Sequence, residues 1–300
     1  MFCDLVGSAA QVTLRGVGLH SLKGIARPIE VVSVGLADAS ATVWHERLAS
    51  SQRIRFCTTR DGVRLAWTAI GDGSPIVKAP NWISHLELDW WDVQESAFDR
   101  FVDDLECVFD AAGVARAPVL AVSHGCAVAA ALAARRPERV SAIVILGGFP
   151  QGRNRRGSAR DQERAAALAQ MMASGWDEGS PSLRDLMAQL IVPGASEEQR
   201  RAFADDMRKM ITPENMGRLR HVVDDIDITA LLGSVRAPCL VLHCQDDRMQ
   251  PIEQGRLLAA GLPNARFIAY DSVGHLVTQD DPVWPQMERD IETFLRERQE

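Results

Sequence analysis

A chain of 300 residues with 46% hydrophobic and 24% charged side chains has the make-up of a globular protein, long enough for one large domain with an insertion. Its net charge of -7 argues against a nucleic-acid or anionic-membrane surface, and neither a membrane-span-length apolar run nor a signal peptide can be read in it. The expectation is a cytoplasmic protein whose six cysteines (Cys3, Cys57, Cys107, Cys126, Cys239 and Cys244), scattered without a CxxC pair, stay reduced and mostly in the core. Arg153, Arg155, Arg156, Arg160 and Arg164 form a basic cluster that reads as a solvated loop and helix face.

Residues 1–50 stand apart. Phe2 to Ser8 (FCDLVGS) resembles the opening of a class III nucleotide cyclase domain, and the resemblance implies a metal-binding aspartate at Asp4. Leu19 to Val31 (LHSLKGIARPIEV) resembles the closing strands of the same domain. Residues 9–18 are nearly all that separates the two ends, and they hold no carboxylate to complete a two-metal site. We read the segment as a cyclase remnant without cyclase activity, one hairpin followed by a linker over residues 37–51. The alternative is a chance similarity in a tail.

From Arg53 the pattern becomes regular. Ile54 to Thr58 and Val63 to Ile70 are rich in β-branched and aromatic residues and flank Asp61-Gly62, which predicts a hairpin. Pro75 to Ala79 makes a third strand that runs into Pro80-Asn81-Trp82. Phe98, Phe101, Val102, Leu105, Val108 and Phe109 recur at helical spacing, with Gly113 as the stop. The next apolar run ends in Ser123, with small residues at Ala121 and Gly125, and an alanine-rich helix follows. That is the pattern of a nucleophile elbow, a strand-to-helix turn so tight that only small side chains fit around the serine. The bland alternative is a serine capping an ordinary helix.

Val140 to Leu146 is a buried type of strand that ends in Gly147-Gly148. Four amphipathic segments follow over residues 162–174, 183–191, 197–211 and 214–223, and read as an inserted helical cap. Met171, Met172, Met187, Met207 and Met210 lie at helical spacing there, better suited to a core than to a pocket. Pro238 to His243 is a strand leading to Asp246-Asp247, and Ala265 to Tyr270 leads to Asp271-Ser272-Val273-Gly274-His275. Residues 282–297 close the chain with a helix. Serine, then aspartate, then histidine, each just past a strand, is the order of the α/β-hydrolase fold, so Ser123, Asp247 and His275 are the expected triad. Asp246 competes with Asp247. His85 and His243 read as structural.

Val77 to Glu87, the elbow, Arg136 to Val140 and the Asp247 and His275 segments together resemble the α/β-hydrolase domains that bacteria fuse to class III adenylate or guanylate cyclase domains. The resemblance implies a mostly parallel central sheet flanked by helices, with a helical cap. It divides the chain into residues 1–50 (remnant and linker), 51–149 (first part of the core), 150–235 (cap) and 236–300 (second part of the core). It also implies an oxyanion hole of backbone N–H groups from His124 and from the loop at Asn81 and Trp82, with the His124 side chain flanking the pocket.

One departure concerns the sheet. Residues 80–117 hold a loop and one helix where the family has a further helix and central strand, so the neighbouring hairpin or another chain would have to cover the gap. The expected activity is a cofactor-free, metal-free serine carboxylesterase acting on small to medium apolar esters, with no nucleic-acid or membrane partner and an open oligomeric state. The alternatives are a lactonase, carbon–carbon hydrolase or perhydrolase on the same triad, or a catalytically silent signalling module.

Overall fold

The computed structural model describes residues 12–20, 29–36, 54–69, 73–81, 97–175, 181–210 and 213–298. The chain divides into two compact units, Met1–Ile54 with Thr68–Gly73, and Arg55–Trp67 with Ser74–Glu300. In the first, β1 (Val12–His20) and β2 (Ile29–Leu36) pair antiparallel from Val12↔Leu36 to His20↔Ile29. The register shifts between Gly16 and Gly18, where glycine tolerates the backbone of a bulge. The expected hairpin is therefore formed, while Asp4 and the linker over 37–51 lie outside the described residues.

The second unit opens with β3 (Arg55–Thr58) and β4 (Arg64–Trp67), paired antiparallel across the Asp61-Gly62 turn, where Gly62 has φ 88°. This hairpin forms a two-stranded sheet of its own. Of the two ways of covering the gap, pairing by this hairpin is not the one seen among the described residues. It is held instead against α1 (Ala97–Ala111), through an Arg100–Asp61 ion pair at 2.9 Å and the Cys107 thiol, which donates to the Thr58 carbonyl at 3.5 Å. Both contacts are solvent-side and worth about 1 kcal/mol or less.

The main sheet is fully parallel and runs β5 (Val77–Lys78), β6 (Ala117–Val122), β7 (Val140–Leu146), β8 (Cys239–Cys244), β9 (Ala265–Tyr270). Strand β6, which leads into Ser123, lies directly beside β5, with Val77 opposite Val119. The edge strand is only two residues long, which limits the backbone left open to foreign strands.

Helix α2 (Gly125–Arg135) follows β6 and consists mainly of alanine, which has the highest helix propensity and lets a helix sit close to a sheet; every residue from Gly125 to Ala133 is buried. After β8 comes α7 (Ile252–Gly261) and after β9 comes α8 (Trp284–Arg296), which carries Pro285 in its first turn, where its missing N–H costs nothing. Val122, Val144, Leu146, Leu240, Leu242 and Tyr270 on the sheet pack with Met287 and Phe294 of α8 in one core. Between β7 and β8 lie α3 (Ala159–Gly175), α4 (Pro181–Ile191), α5 (Glu197–Met210) and α6 (Pro213–Asp225). Met172, Met187 and Met207 are fully buried there as core, whereas Met171 is exposed. Among the described residues no helix is long and apolar enough to cross a membrane.

Candidate active site

Strand β6 delivers Ser123 into a left-handed backbone conformation, φ 53°, the one non-glycine residue with positive φ among the described residues. Such a conformation costs a residue with a Cβ about 1–2 kcal/mol and persists only when its surroundings impose it. They do so here. The Ser123 N–H donates to the Leu146 carbonyl at the end of β7 (2.9 Å), and the Ser123 carbonyl accepts from the Cys126 N–H in the first turn of α2 (3.1 Å). Gly125 explains the small residue after the serine, because a Cβ there would lie 2.8 Å from the Pro80 carbonyl oxygen. The loop after β5 therefore sits directly against the elbow.

Asp247 and His275 meet on the same rim. Asp247 follows β8, and its Oδ1 accepts from the N–H groups of Met249 (2.7 Å) and Gln250 (3.0 Å), which fixes the carboxylate. Its Oδ2 faces His275 Nδ1 at 2.8 Å, with both side chains almost completely buried. Asp246 is exposed, so the geometry separates the two competing aspartates. The imidazole edge of His275 packs on Gly147, where an added Cβ would lie 2.9 Å from His275 Cε1 and 3.4 Å from Asp247 Oδ2. Gly147 is next to the Leu146 carbonyl that anchors Ser123, so one short segment touches all three parts. Among the described residues the His275–Asp247 hydrogen bond is formed and one between Ser123 and His275 is not. In hydrolases this second bond is often loose until substrate binds.

Of the remaining expected residues, Asn81 is buried and accepts a hydrogen bond from Lys78 Nζ, while Trp82 and His85 lie outside the described residues. His124 is at the N-cap of α2, where a backbone N–H has no carbonyl one turn earlier in the helix to bond. His243 Nε2 meets the Gln250 carbonyl at 3.0 Å and lies 3.7 Å from Asp247 Oδ2, and burial lowers the pKa of the ring. Among the described residues no group of three or more His, Cys, Asp or Glu side chains could hold a metal ion.

The pattern of the alpha/beta hydrolase fold matches residues 78–282, more than half of the chain. The protein belongs to the alpha/beta hydrolase family. This hydrolase is 27% identical over 189 residues to a 2-hydroxy-6-oxononadienedioate/2-hydroxy-6-oxononatrienedioate hydrolase of Cupriavidus pinatubonensis, a match covering 57% of this chain and 60% of that relative. It is 26% identical over 209 residues to a 2-hydroxymuconate semialdehyde hydrolase of Pseudomonas putida, covering 66% of this chain and 69% of the relative. Among solved structures, an esterase from Exiguobacterium antarcticum shares the fold with a TM-score of 0.68 at 14% identity, covering 83% of this chain and all of that one.

Burial of the arginine cluster was not legible in the hydrolase's sequence. Arg153 and Arg156 are partly buried and bonded within the fold. Arg153 bridges the Asp224 carboxylate of α6 (3.4 Å) and the Met249 carbonyl of the acid loop (3.1 Å), and Arg156 bonds the Gln151 carbonyl and the Gln250 side chain. Burial first and the nearby Arg220 second pull the Arg153 guanidinium down to about 10, so it remains charged at neutral pH. Arg155 and Arg160 are exposed as expected, and the Arg164 side chain lies outside the described residues. Arg220 grips Asp224 with two hydrogen bonds one helical turn apart, the Nε bond at 2.6 Å. The i,i+4 spacing was a visible signal; the burial of both partners was not.

Removing only the acid from such a group leaves uncompensated buried charge. Asp224→Ala is therefore expected to lower the unfolding free energy by about 3–5 kcal/mol in urea titration, far more than the loss of a surface pair.

Proposed function

We propose that this alpha/beta hydrolase is a serine carboxylesterase for small to medium esters. The reading is carried by one observation: the buried His275–Asp247 pair, bonded at 2.8 Å, sits on the Gly147 segment that also anchors the left-handed Ser123. In this reading Asp247 accepts from Nδ1–H and so keeps the lone pair on His275 Nε2. Ser123 Oγ attacks the ester carbonyl carbon as its proton passes to Nε2, and the carbonyl π pair moves onto oxygen. Backbone N–H groups of His124 and the Asn81–Trp82 loop receive that negative charge. Collapse expels the alkoxide, which takes the imidazolium proton and leaves as the alcohol. Water, deprotonated by His275, then releases the carboxylic acid and restores the serine. Residues 150–235 act in this reading as a cap over a two-part core at 51–149 and 236–300, residues 1–50 are an inactive cyclase remnant, and the cytoplasm is the site of action.

The test is covalent labelling. A fluorophosphonate should add to one residue, mapped by mass spectrometry to Ser123, and the unlabelled protein should cleave a short-chain p-nitrophenyl ester. Folded protein that takes up no label and cleaves no ester sinks the reading. A second reading, carbon–carbon hydrolysis, is favoured by the relatives' names, because the compounds they specify carry carbonyl, enol or carboxylate groups but no ester. Such an enzyme would still take the label at Ser123 but would turn over a vinylogous 1,5-diketone acid faster than any ester.

A further inference from the structure

His124 stands directly after Ser123 and is 1% exposed, yet neither ring nitrogen has a hydrogen-bond partner. This is a costly state for a side chain that must always present at least one N–H: a buried donor or acceptor left unmet forfeits its full hydration. The ring is otherwise well held. It packs edge-on against Phe101 of α1, with centroids 5.9 Å apart at 64°, so it is not free to swing toward solvent. Its orphaned nitrogens belong to the same few residues that carry the elbow, with the Pro80–Asn81 loop pressed against Gly125 next in the chain.

Two cations act on the ring. Arg220 from the inserted helices and Lys78 from β5 both lie near enough to oppose protonation, and with burial as the larger cause they bring the ring down to about 3. His124 is thus a neutral imidazole offering one N–H in a positively charged setting. A neutral alkyl chain placed there would leave the N–H unmet and the Lys78 ammonium, bonded to the neutral Asn81 side chain, without an anionic partner. An anionic acceptor would satisfy both.

We infer that His124 recognises a carboxylate borne on the acyl part of the substrate, so that half-esters of dicarboxylic acids are preferred over neutral esters of equal length. The inference deepens the esterase reading and rests on it for the reaction, though not for the binding. Arg220 supplies long-range attraction while remaining paired with Asp224, and His124 supplies the directional bond.

The test compares monomethyl glutarate with methyl pentanoate, which share chain length and ester but differ in the far carboxylate. With the full-length protein, kcat/KM should favour the half-ester by roughly 10-fold or more, the size expected of a hydrogen bond to a charged group. His124→Leu should remove that preference: kcat/KM for the half-ester should fall roughly 10-fold or more further than kcat/KM for the neutral ester, with fluorophosphonate labelling still at Ser123. No preference in the parent, or an equal loss on both esters in the variant, overturns the inference while the label upholds the esterase reading. Binding is read separately by calorimetry on Ser123→Ala protein, which cannot turn over. Monomethyl glutarate should bind it, and adding His124→Leu should weaken binding roughly 10-fold or more. Equal binding by both proteins, or none by either, overturns the inference whatever becomes of the hydrolysis.

Discussion

Asp247→Asn is expected to lower kcat for ester hydrolysis by roughly 10³–10⁴-fold, with a fold that stays intact. The reason lies in how the carboxylate is held. Oδ1 accepts from two loop N–H groups, at Met249 and Gln250, and Oδ2 faces His275 Nδ1. In asparagine the carbonyl oxygen stays with the two backbone donors, since an NH2 cannot accept from them, and the NH2 is left facing Nδ1. Two N–H groups cannot face each other, so the imidazole moves its proton to Nε2. The lone pair that should take the serine proton is then gone, although every atom is close to its original place. Circular dichroism and the urea midpoint should stay near the parent's, and Asp246→Asn, on an exposed side chain, should keep activity within about twofold. If Asp247→Asn retained a tenth or more of the activity, His275 would not be taking its tautomer from this carboxylate.

How far the sequence predicts this site depends on the range of the forces involved. The elbow is legible because its causes are local: a left-handed serine needs small neighbours, and Ala121 and Gly125 supply them beside an apolar run and an alanine helix. Asp247 and His275 are legible because a parallel sheet brings strand ends to one rim, so position after a strand stands in for position in space. Helix α7 is not, since Gly255 and Gly261 lie within its ten residues and read as breaks. The reason for the first glycine is tertiary: a Cβ at 255 would lie 2.5 Å from His243 Nδ1. Arg153 failed for a related reason. A charged residue in a basic stretch reads as solvated, and only the fold brings Asp224, 71 positions away, to its guanidinium. The hairpin likewise shows strand propensity without revealing its partner, which is α1 and not the main sheet.

Gly147 is the residue whose importance the chain hides most, as one of two glycines that seem only to end a strand, and Gly147→Ala should cost roughly 100-fold or more in kcat/KM. Its φ of 58° taxes any Cβ by about 1–2 kcal/mol, which should appear as a fall in melting temperature of a few degrees. That term alone would not touch catalysis. The second term is directional. The new methyl would lie 2.9 Å from His275 Cε1 and 3.0 Å from Nδ1, well inside contact distance, with Asp247 Oδ2 at 3.4 Å. Neither neighbour can yield easily, because the carboxylate is tied to two loop N–H groups and both side chains are buried. The imidazole is therefore driven off its hydrogen bond to Asp247, and a displacement near 1 Å in a general base is enough for a loss of that order. Gly62→Ala makes the comparison, since it carries a similar backbone strain at φ 88° with nothing within 4 Å of the new methyl. It should lose stability and keep its activity. Equal catalytic losses in the two variants would mean that strain and not contact is responsible, and that His275 does not work from the position it occupies beside Gly147.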